Sequence, residues 1–374
     1  MKKAALITCH NIKNYGSVYQ TYATTVIFKD FGYDVTVIDY QRPGTDSKGF
    51  RTKTLSESHL AKKPLLKYIY PYVLRVSFNK MDGVFSSFLA TYVKTTSLRY
   101  LTEEELRQER PRADLYISGS DQIWNSEING RIERPYFLSF LPDDAKRISF
   151  ASSFGKTSLT DMEKSETYQL LSKYDWLSTR ETSGAEIIRD LGLNADLVLD
   201  PTLWLSRNQW EQLAKPVHCP KRYILVYQLH RNKKMDRYVR HLEKKYRMPC
   251  LRVDLYYHYI VKSGRHIICP SPGQLITLIE NAEYVVSDSF HMTVFSIIFN
   301  KKFLSIFSEN SFNDRIANIL KLFQLENRQL TDYSDFEQLK RDIDFEAVNR
   351  ILNKKQSQMY LLLDKHLKDL DVNV

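Results

Sequence analysis

The stretch AALITCHNIKNYGSVYQTYATTVIFKDFGYDVTVIDY, Ala4 to Tyr40, decides the fold class. It opens on a short apolar run with a strand's composition and passes into a polar loop, CHNIKNYGS. Val18, Tyr22, Val26 and Phe31 then recur near one face of a predicted helix. Gly32 stands where a helix C-terminus is commonly capped. YDVTVIDY first alternates and then runs apolar, as a buried parallel strand does. Strand, helix and strand in this order make a βαβ unit and predict an α/β fold with a parallel sheet.

Working outward, the same theme recurs. ADLYISGSDQIWN (113–125) and KRISFASSFG (146–155) are strands running into small polar residues. YDWLSTRETSGAEIIRDLG (174–192) is strand, polar turn and helix, and ADLVLDP (195–201) is a short strand stopped by Pro201. Asp200-Pro201 reads as a hinge element. After it the series restarts: KRYILVYQL, DRYVRHLEKKYR, PCLRVD, SPGQLITLIENA, EYVVSDS, FHMTVFSIIFN, KKFLSIF and FNDRIANILKLFQ alternate strand and helix. The expected layout is therefore two Rossmann-like domains facing a cleft. The first covers residues 1–200, with an irregular insertion at about 41–112, the second covers 201–345, and an amphipathic helix fills 346–374. In such sheets ligands sit outside the carboxyl ends of the strands. Those ends carry HNIKNYGS, SGSDQ, ASSFG, STRE and SDSFH.

Composition narrows the partners. Among 374 residues, 54 Lys and Arg against 44 Asp and Glu leave a formal charge of +10, which favours anions: phosphorylated small molecules, anionic lipid or nucleic acid. No Arg-rich arm, zinc finger or RNA-binding motif accompanies the charge, so nucleic acid is not expected. The four cysteines form no Cys-x-x-Cys pair, which speaks against a zinc site or a thioredoxin-like motif. With no signal-peptide pattern at the start, they suggest a reducing cytoplasm. No apolar stretch approaches the roughly 18 residues of a membrane span.

The polar break between two apolar runs in EYVVSDSFHMTVFSIIF (283–299) is the sharpest candidate site. A helix starting near Ser289 puts His291 in its first turn, above a buried stripe of Val294, Phe295 and Ile298. Free N–H groups there favour an anion, and a histidine can exchange a proton near neutral pH. The plainer reading is that Ser287, Asp288 and Ser289 cap the helix and His291 packs at its end. Asn14, Tyr15, Gly16 and Ser17 open the first helix, either facing a ligand or merely capping. Ser120, Asp121 and Gln122 offer polar groups to sugar hydroxyls. Asp121 is also a second-base candidate or, equally, an N-cap. Cys9 and His10 are neighbours on a strand and point apart, so a Cys–His dyad is not expected.

ALITCHNIKNYGSVYQTYA, YISGSDQIWN, LSTRE, LDPT and VVSDSFHMTVFSIIFNKKFLSI, in this order, resemble the motifs of the polysaccharide pyruvyltransferase family. The resemblance implies a GT-B-like architecture. It also implies transfer of the enolpyruvyl group of phosphoenolpyruvate onto hydroxyls of a sugar in a cell-surface polysaccharide precursor, forming a pyruvate ketal. It implies no cofactor and no metal, only phosphoenolpyruvate as donor and a sugar acceptor that is free or lipid-linked. His291 matches the family's histidine as the proton-transfer residue. Arg180 in STRE and Arg315 in FNDRI match basic positions that bind the donor, with Ser287 and Ser289 beside them. Many members carry Arg two residues before the histidine and Gly just after it, where this chain has Ser289 and Met292. Arg180, Arg315, Lys13 and Lys156 are candidates to supply the missing cation. The basic balance suits an enzyme visiting an anionic membrane at its cytoplasmic face. Two alternatives stand beside this one: a GT-B glycosyltransferase using a nucleotide sugar, and a catalytically silent glycan-binding relative.

Overall fold

The protein, seen as a computed structural model, is described over residues 1–64, 66–307 and 313–372. It divides into two compact units. The first gathers Met1–Asp46, Ser87–Leu205 and the chain from Lys354 onward, and the second gathers Ser47–Ser86 and Ser206–Asn353.

In the first unit β1 (Lys2–Ile7), β2 (Tyr33–Tyr40), β3 (Thr95–Tyr100), β4 (Leu115–Ser118) and β5 (Arg147–Ser149) form a parallel sheet in the order β3-β2-β1-β4-β5. Ala4 pairs with Val35 on one side and with Leu115 on the other. Isolated parallel bridges, Ile148 to Trp176 and Ser152 to Thr179, lead on to the short pair β6 (Ser178–Thr179) and β7 (Asp196–Leu197). Leu6, Ile7, Val37, Ile38, Ile117 and Ile148 are fully buried, each contributing about 1.5–3 kcal/mol of burial. That is why the inner strands read as unbroken apolar runs.

Helix α1 (Tyr15–Asp30) links β1 to β2, and Gly32 beyond its end takes the left-handed φ of +83°. Its core side differs from the expected one. Val18 is buried, but Tyr19, Ala23, Ile27 and Phe28 form the inner face, while Tyr22, Val26 and Phe31 are only half-buried. The reason is that α1 is covered on more than one side. Tyr22 packs edge-on against Phe88 and Tyr92 at 6.1 and 6.0 Å.

Residues 41–112 are not an irregular insertion. They hold α2 (Ser47–Glu57), α3 (Leu66–Tyr92), β3 and α4 (Glu103–Gln108). Most of this segment up to Ser86 groups with the second unit rather than the first. The edge strand β3, TTSLRY, is largely exposed and carries no apolar alternation to betray it. The first unit is completed by α5 (Ser126–Asn129), α6 (Asp161–Leu171) and α7 (Thr182–Asp190).

The second unit repeats the plan. β8 (Ile224–Tyr227), β9 (Cys250–Asp254), β10 (Arg265–Ile268), β11 (Tyr284–Ser287) and β12 (Lys302–Ser305) are parallel, in the order β10-β9-β8-β11-β12. Helices α8 (Arg207–Glu211), α9 (Lys233–Tyr246), α10 (Pro272–Asn281), α11 (Phe290–Ile298) and α12 (Asp314–Leu322) surround it. The helix expected from Phe312 begins at Asp314, and Phe312 lies outside the described residues. The final helix α13 (Phe345–Val372) starts with the second unit and from Lys354 belongs to the first. There His366 stacks on Trp176 at 4.5 Å and bonds Asp196 at 3.0 Å. The last two residues of the expected tail helix lie outside the described residues. In each sheet the strand order reverses between its first and fourth strands, β1/β4 and β8/β11. Such a reversal is where open α/β sheets bind ligands.

Candidate functional site

In the second unit the junction after β11 shows why the apolar run breaks. YVVS is buried throughout, and the chain then reaches the carboxyl edge of the sheet. Ser287 Oγ donates to the Tyr227 carbonyl at 2.7 Å and accepts from Ser289 N at 3.0 Å. Asp288 turns the other way. Its carboxylate accepts from Leu229 N at 2.7 Å and His230 N at 2.8 Å, and meets His230 Nδ1 at 3.2 Å. Ser289 occupies the N-cap position of α11 but makes no side-chain capping bond. The plain capping reading of Ser-Asp-Ser is thereby corrected, because the first two side chains tie β11 to β8 instead.

His291 is the second residue of α11 and is partly exposed, while Val294, Phe295 and Ile298 beneath it are buried. Its ring lies 5.1 Å from that of Phe290, nearly perpendicular to it. The guanidinium carbon of Arg315, in the first turn of α12, stands 5.5 Å from the centroid of the same Phe290 ring. Lys13, Lys156 and Arg180 belong to the first unit. Arg315, in the second unit, thus packs against the start of α11. His230 was not among the expected site residues. Its hydrogen bond to the Asp288 carboxylate raises the pKa of His230 above the ordinary histidine value, against the opposing effect of burial. No local pattern announces this pair, since 58 residues separate its members.

In the first unit the corresponding reversal collects the other candidates. Asn14 caps α1, its side chain accepting from Gly16 N at 2.8 Å, so the capping alternative holds for this residue. Tyr15, Gly16 and Ser17 are buried, and Ser17 Oγ donates to Asp121 Oδ2 at 2.9 Å. Gly119, just before, leaves no room for a side chain. A Cβ there would meet Leu6 Cδ1 at 2.8 Å and Thr8 Cβ at 3.0 Å. Asp121 adopts a φ of +80°, a left-handed conformation that aspartate tolerates better than most residues. Its Oδ1 accepts from Gln122 N at 2.9 Å. Asp121 caps no helix, because Asn125 fills that role for α5.

Arg180 is engaged by polar groups of the first unit. Its side chain is 1% exposed, and Nη1 donates to Asp200 Oδ2 at 2.6 Å and to Ser120 Oγ at 3.2 Å. Nη2 reaches Asp121 Oδ1 at 3.3 Å. The fork that was expected to hold a donor anion is engaged by two internal carboxylates. Asp200, read as a hinge, is one of them, held in turn by Thr202 N at 3.0 Å and Thr202 Oγ1 at 2.6 Å. Lys156, another candidate cation, is bound to Glu163 and Ser126, each at 2.8 Å. Cys9 and His10 do diverge: Cys9 Sγ faces Tyr136 Oη at 3.7 Å, and His10 Nε2 meets Asp39 Oδ1 at 3.1 Å. Burial pushes the Cys9 thiol up to about 12, so it is no nucleophile at neutral pH. Among the described residues no group of three His, Cys, Asp or Glu side chains is arranged to hold a metal ion.

The sequence of the family model described as polysaccharide pyruvyl transferase matches residues 14–310, from the α1 N-cap past β12. The chain belongs to the polysaccharide pyruvyl transferase family. Among curated proteins no match is found. Among solved structures, spinosyn forosaminyltransferase SpnP is similar over 99% of this chain and 99% of its own, at 10% identity and a TM-score of 0.51. The UDP-GlcNAc 2-epimerase from Methanocaldococcus jannaschii is similar over 95% of this chain and 94% of its own, at 11% identity and a TM-score of 0.47. At 10% identity the likeness to SpnP is one of fold. This pyruvyl transferase family member is built from two Rossmann-like units, as GT-B transferases are.

Proposed function

We propose that the protein transfers the enolpyruvyl group of phosphoenolpyruvate onto hydroxyls of a sugar in a cell-surface polysaccharide precursor. A sugar hydroxyl oxygen attacks C2 of the enol while C3 takes a proton, giving a methyl group and a tetrahedral ketal phosphate. The C2–O bond to phosphate then breaks, and a second hydroxyl closes the ketal at C2. One hydroxyl proton balances the proton gained by C3, the other leaves with phosphate, and no oxidant or reductant is needed.

The observation that carries this reading is the start of α11. There His291 sits in the first turn of a helix without a side-chain cap, and Arg315 stacks on the adjoining Phe290. Helix N–H groups and a guanidinium suit the phosphate and carboxylate of the donor. His291 exchanges the proton that C3 gains. His230, hydrogen-bonded to Asp288 at the next strand end, offers a further polar group to the same anion. The test is phosphate release from phosphoenolpyruvate in the presence of galactose- or mannose-containing acceptors. Acceptor-dependent release that His291→Ala abolishes supports the reading. Turnover of a nucleotide sugar, or saturable glycan binding without turnover, overturns it.

A further inference from the structure

The surface that the transfer chemistry leaves unexplained is the outer face of α3. Between Glu57 and Asp82 the chain carries Lys62, Lys63, Lys67, Arg75 and Lys80 and not one acidic residue. Within this stretch, large apolar side chains face outward. Tyr68 is 75% exposed, Tyr72 70%, Ile69 58% and Val76 37%. At helical spacing Tyr68, Tyr72, Val76 and Ile69 fall within an arc of about 100°. Arg75 and Lys80 flank that arc on either side, and Lys67 Nζ lies 4.9 Å from the Tyr68 ring centroid.

The opposite face explains why these residues cannot turn inward. Tyr70, Leu74, Phe78, Met81 and Phe85 are buried. Ser77 Oγ accepts from Tyr257 N at 3.1 Å, Phe78 packs on Tyr256 at 5.8 Å and Tyr70 on His258 at 5.3 Å. These contacts fix α3 on the 3₁₀ turn Tyr257–Val261, whose Ile260 and Val261 are themselves exposed. α3 is thus anchored along one side, with an aromatic and cationic stripe along the other.

We propose that this stripe docks the protein on an anionic bilayer surface. Tyrosines have an apolar ring and a polar tip and favour the level of the lipid headgroups. A basic face beside apolar side chains is what an interfacial helix needs, and each Lys or Arg gains from the negative surface potential. Charge complementarity also argues against a second copy of this chain. A two-fold contact would bring the same positive stripe against itself. No helix among the described residues is long and apolar enough to cross a membrane. The inference rests on α3 alone and is independent of the transfer chemistry.

The test is flotation of the full chain with vesicles of phosphatidylcholine alone, or of phosphatidylcholine mixed with phosphatidylglycerol. Binding is expected to the anionic vesicles, weaker by about tenfold or more on the neutral ones, and to weaken as salt shortens the Debye length. The double variants Tyr68→Ser/Tyr72→Ser and Lys67→Gln/Arg75→Gln each lower anionic-vesicle binding about tenfold or more while keeping the wild-type unfolding midpoint. The two variants remove apolar and cationic character separately, so loss of fold in one leaves the other as the test. Equal binding to both vesicle types, or binding that neither variant reduces, overturns the proposal. So does a concentration-dependent dimer, seen by light scattering, that Tyr68→Ser/Tyr72→Ser dissolves.

Discussion

Arg180 and Asp200 are joined by a 2.6 Å hydrogen-bonded ion pair whose two side chains are each 1% exposed. A guanidinium so deeply buried is tolerated because carboxylates answer it. Arg180→Ala leaves Asp200 buried without its counter-charge and is expected to cost about 3–5 kcal/mol, read from urea unfolding. Arg180→Lys rescues little, because one ammonium does not reproduce the fork between Asp200 and Asp121. An alanine variant with wild-type stability and a raised KM for phosphoenolpyruvate would return Arg180 to the donor.

His291→Gln is expected to lower kcat for phosphate release by about 10²–10⁴-fold, the usual worth of a positioned proton-transfer group. Its unfolding midpoint should hold, since the side chain is only partly buried. Arg315→Gln should act mainly on KM for phosphoenolpyruvate, with a loss of about 0.5–1 kcal/mol from the Phe290 stacking. Parallel steady-state assays separate the two roles. A pure kcat effect at Arg315 would contradict its assignment to donor binding.

The His230–Asp288 pair makes a pH prediction. Asp288 raises the pKa of His230 above its ordinary value. The stabilisation from that pair is full below the unfolded-state value near 6.5 and is lost as pH rises through the folded-state pKa. An NMR titration of the imidazole should show the raised midpoint, and Asp288→Asn should bring it down. An unchanged midpoint in Asp288→Asn would exclude the carboxylate as its cause.

Glu163 gives the opposite sign. Burial pushes its carboxyl pKa up, but hydrogen bonds from Lys156, Ser126 and Thr160 outweigh burial and bring it down to about 2. The contribution is present above the unfolded carboxylate value and lost as pH falls toward about 2. Glu163→Gln should flatten the acid limb of the thermal midpoint plotted against pH, while costing stability at neutral pH.

Part of this was legible from residue order alone. The apolar runs of β1, β4, β8 and β11, each followed by small polar residues, identify parallel strands, because burial on both faces demands unbroken apolar side chains. SDSFH was legible as a strand-to-helix junction, and so was the place of His291 in the first turn of α11. The edge strands β3 and β10 were not, because half-exposed edges carry no such run. Nor does residue order mark the stripe on α3, since only exposure distinguishes it from the buried aromatics beside it.

The sequence by itself determined the α/β class, the family and the segments that reach the carboxyl ends of the strands. All of these follow from short-range periodicity and motif order. Only the tertiary structure decided what each polar group there is bound to. It turned Arg180 inward to Asp200 and Asp121, joined His230 to Asp288, set Arg315 against Phe290 and left the α3 tyrosines outside. Each of these depends on which distant segments the sheet order brings side by side, and on whether a charge met there has been removed from water.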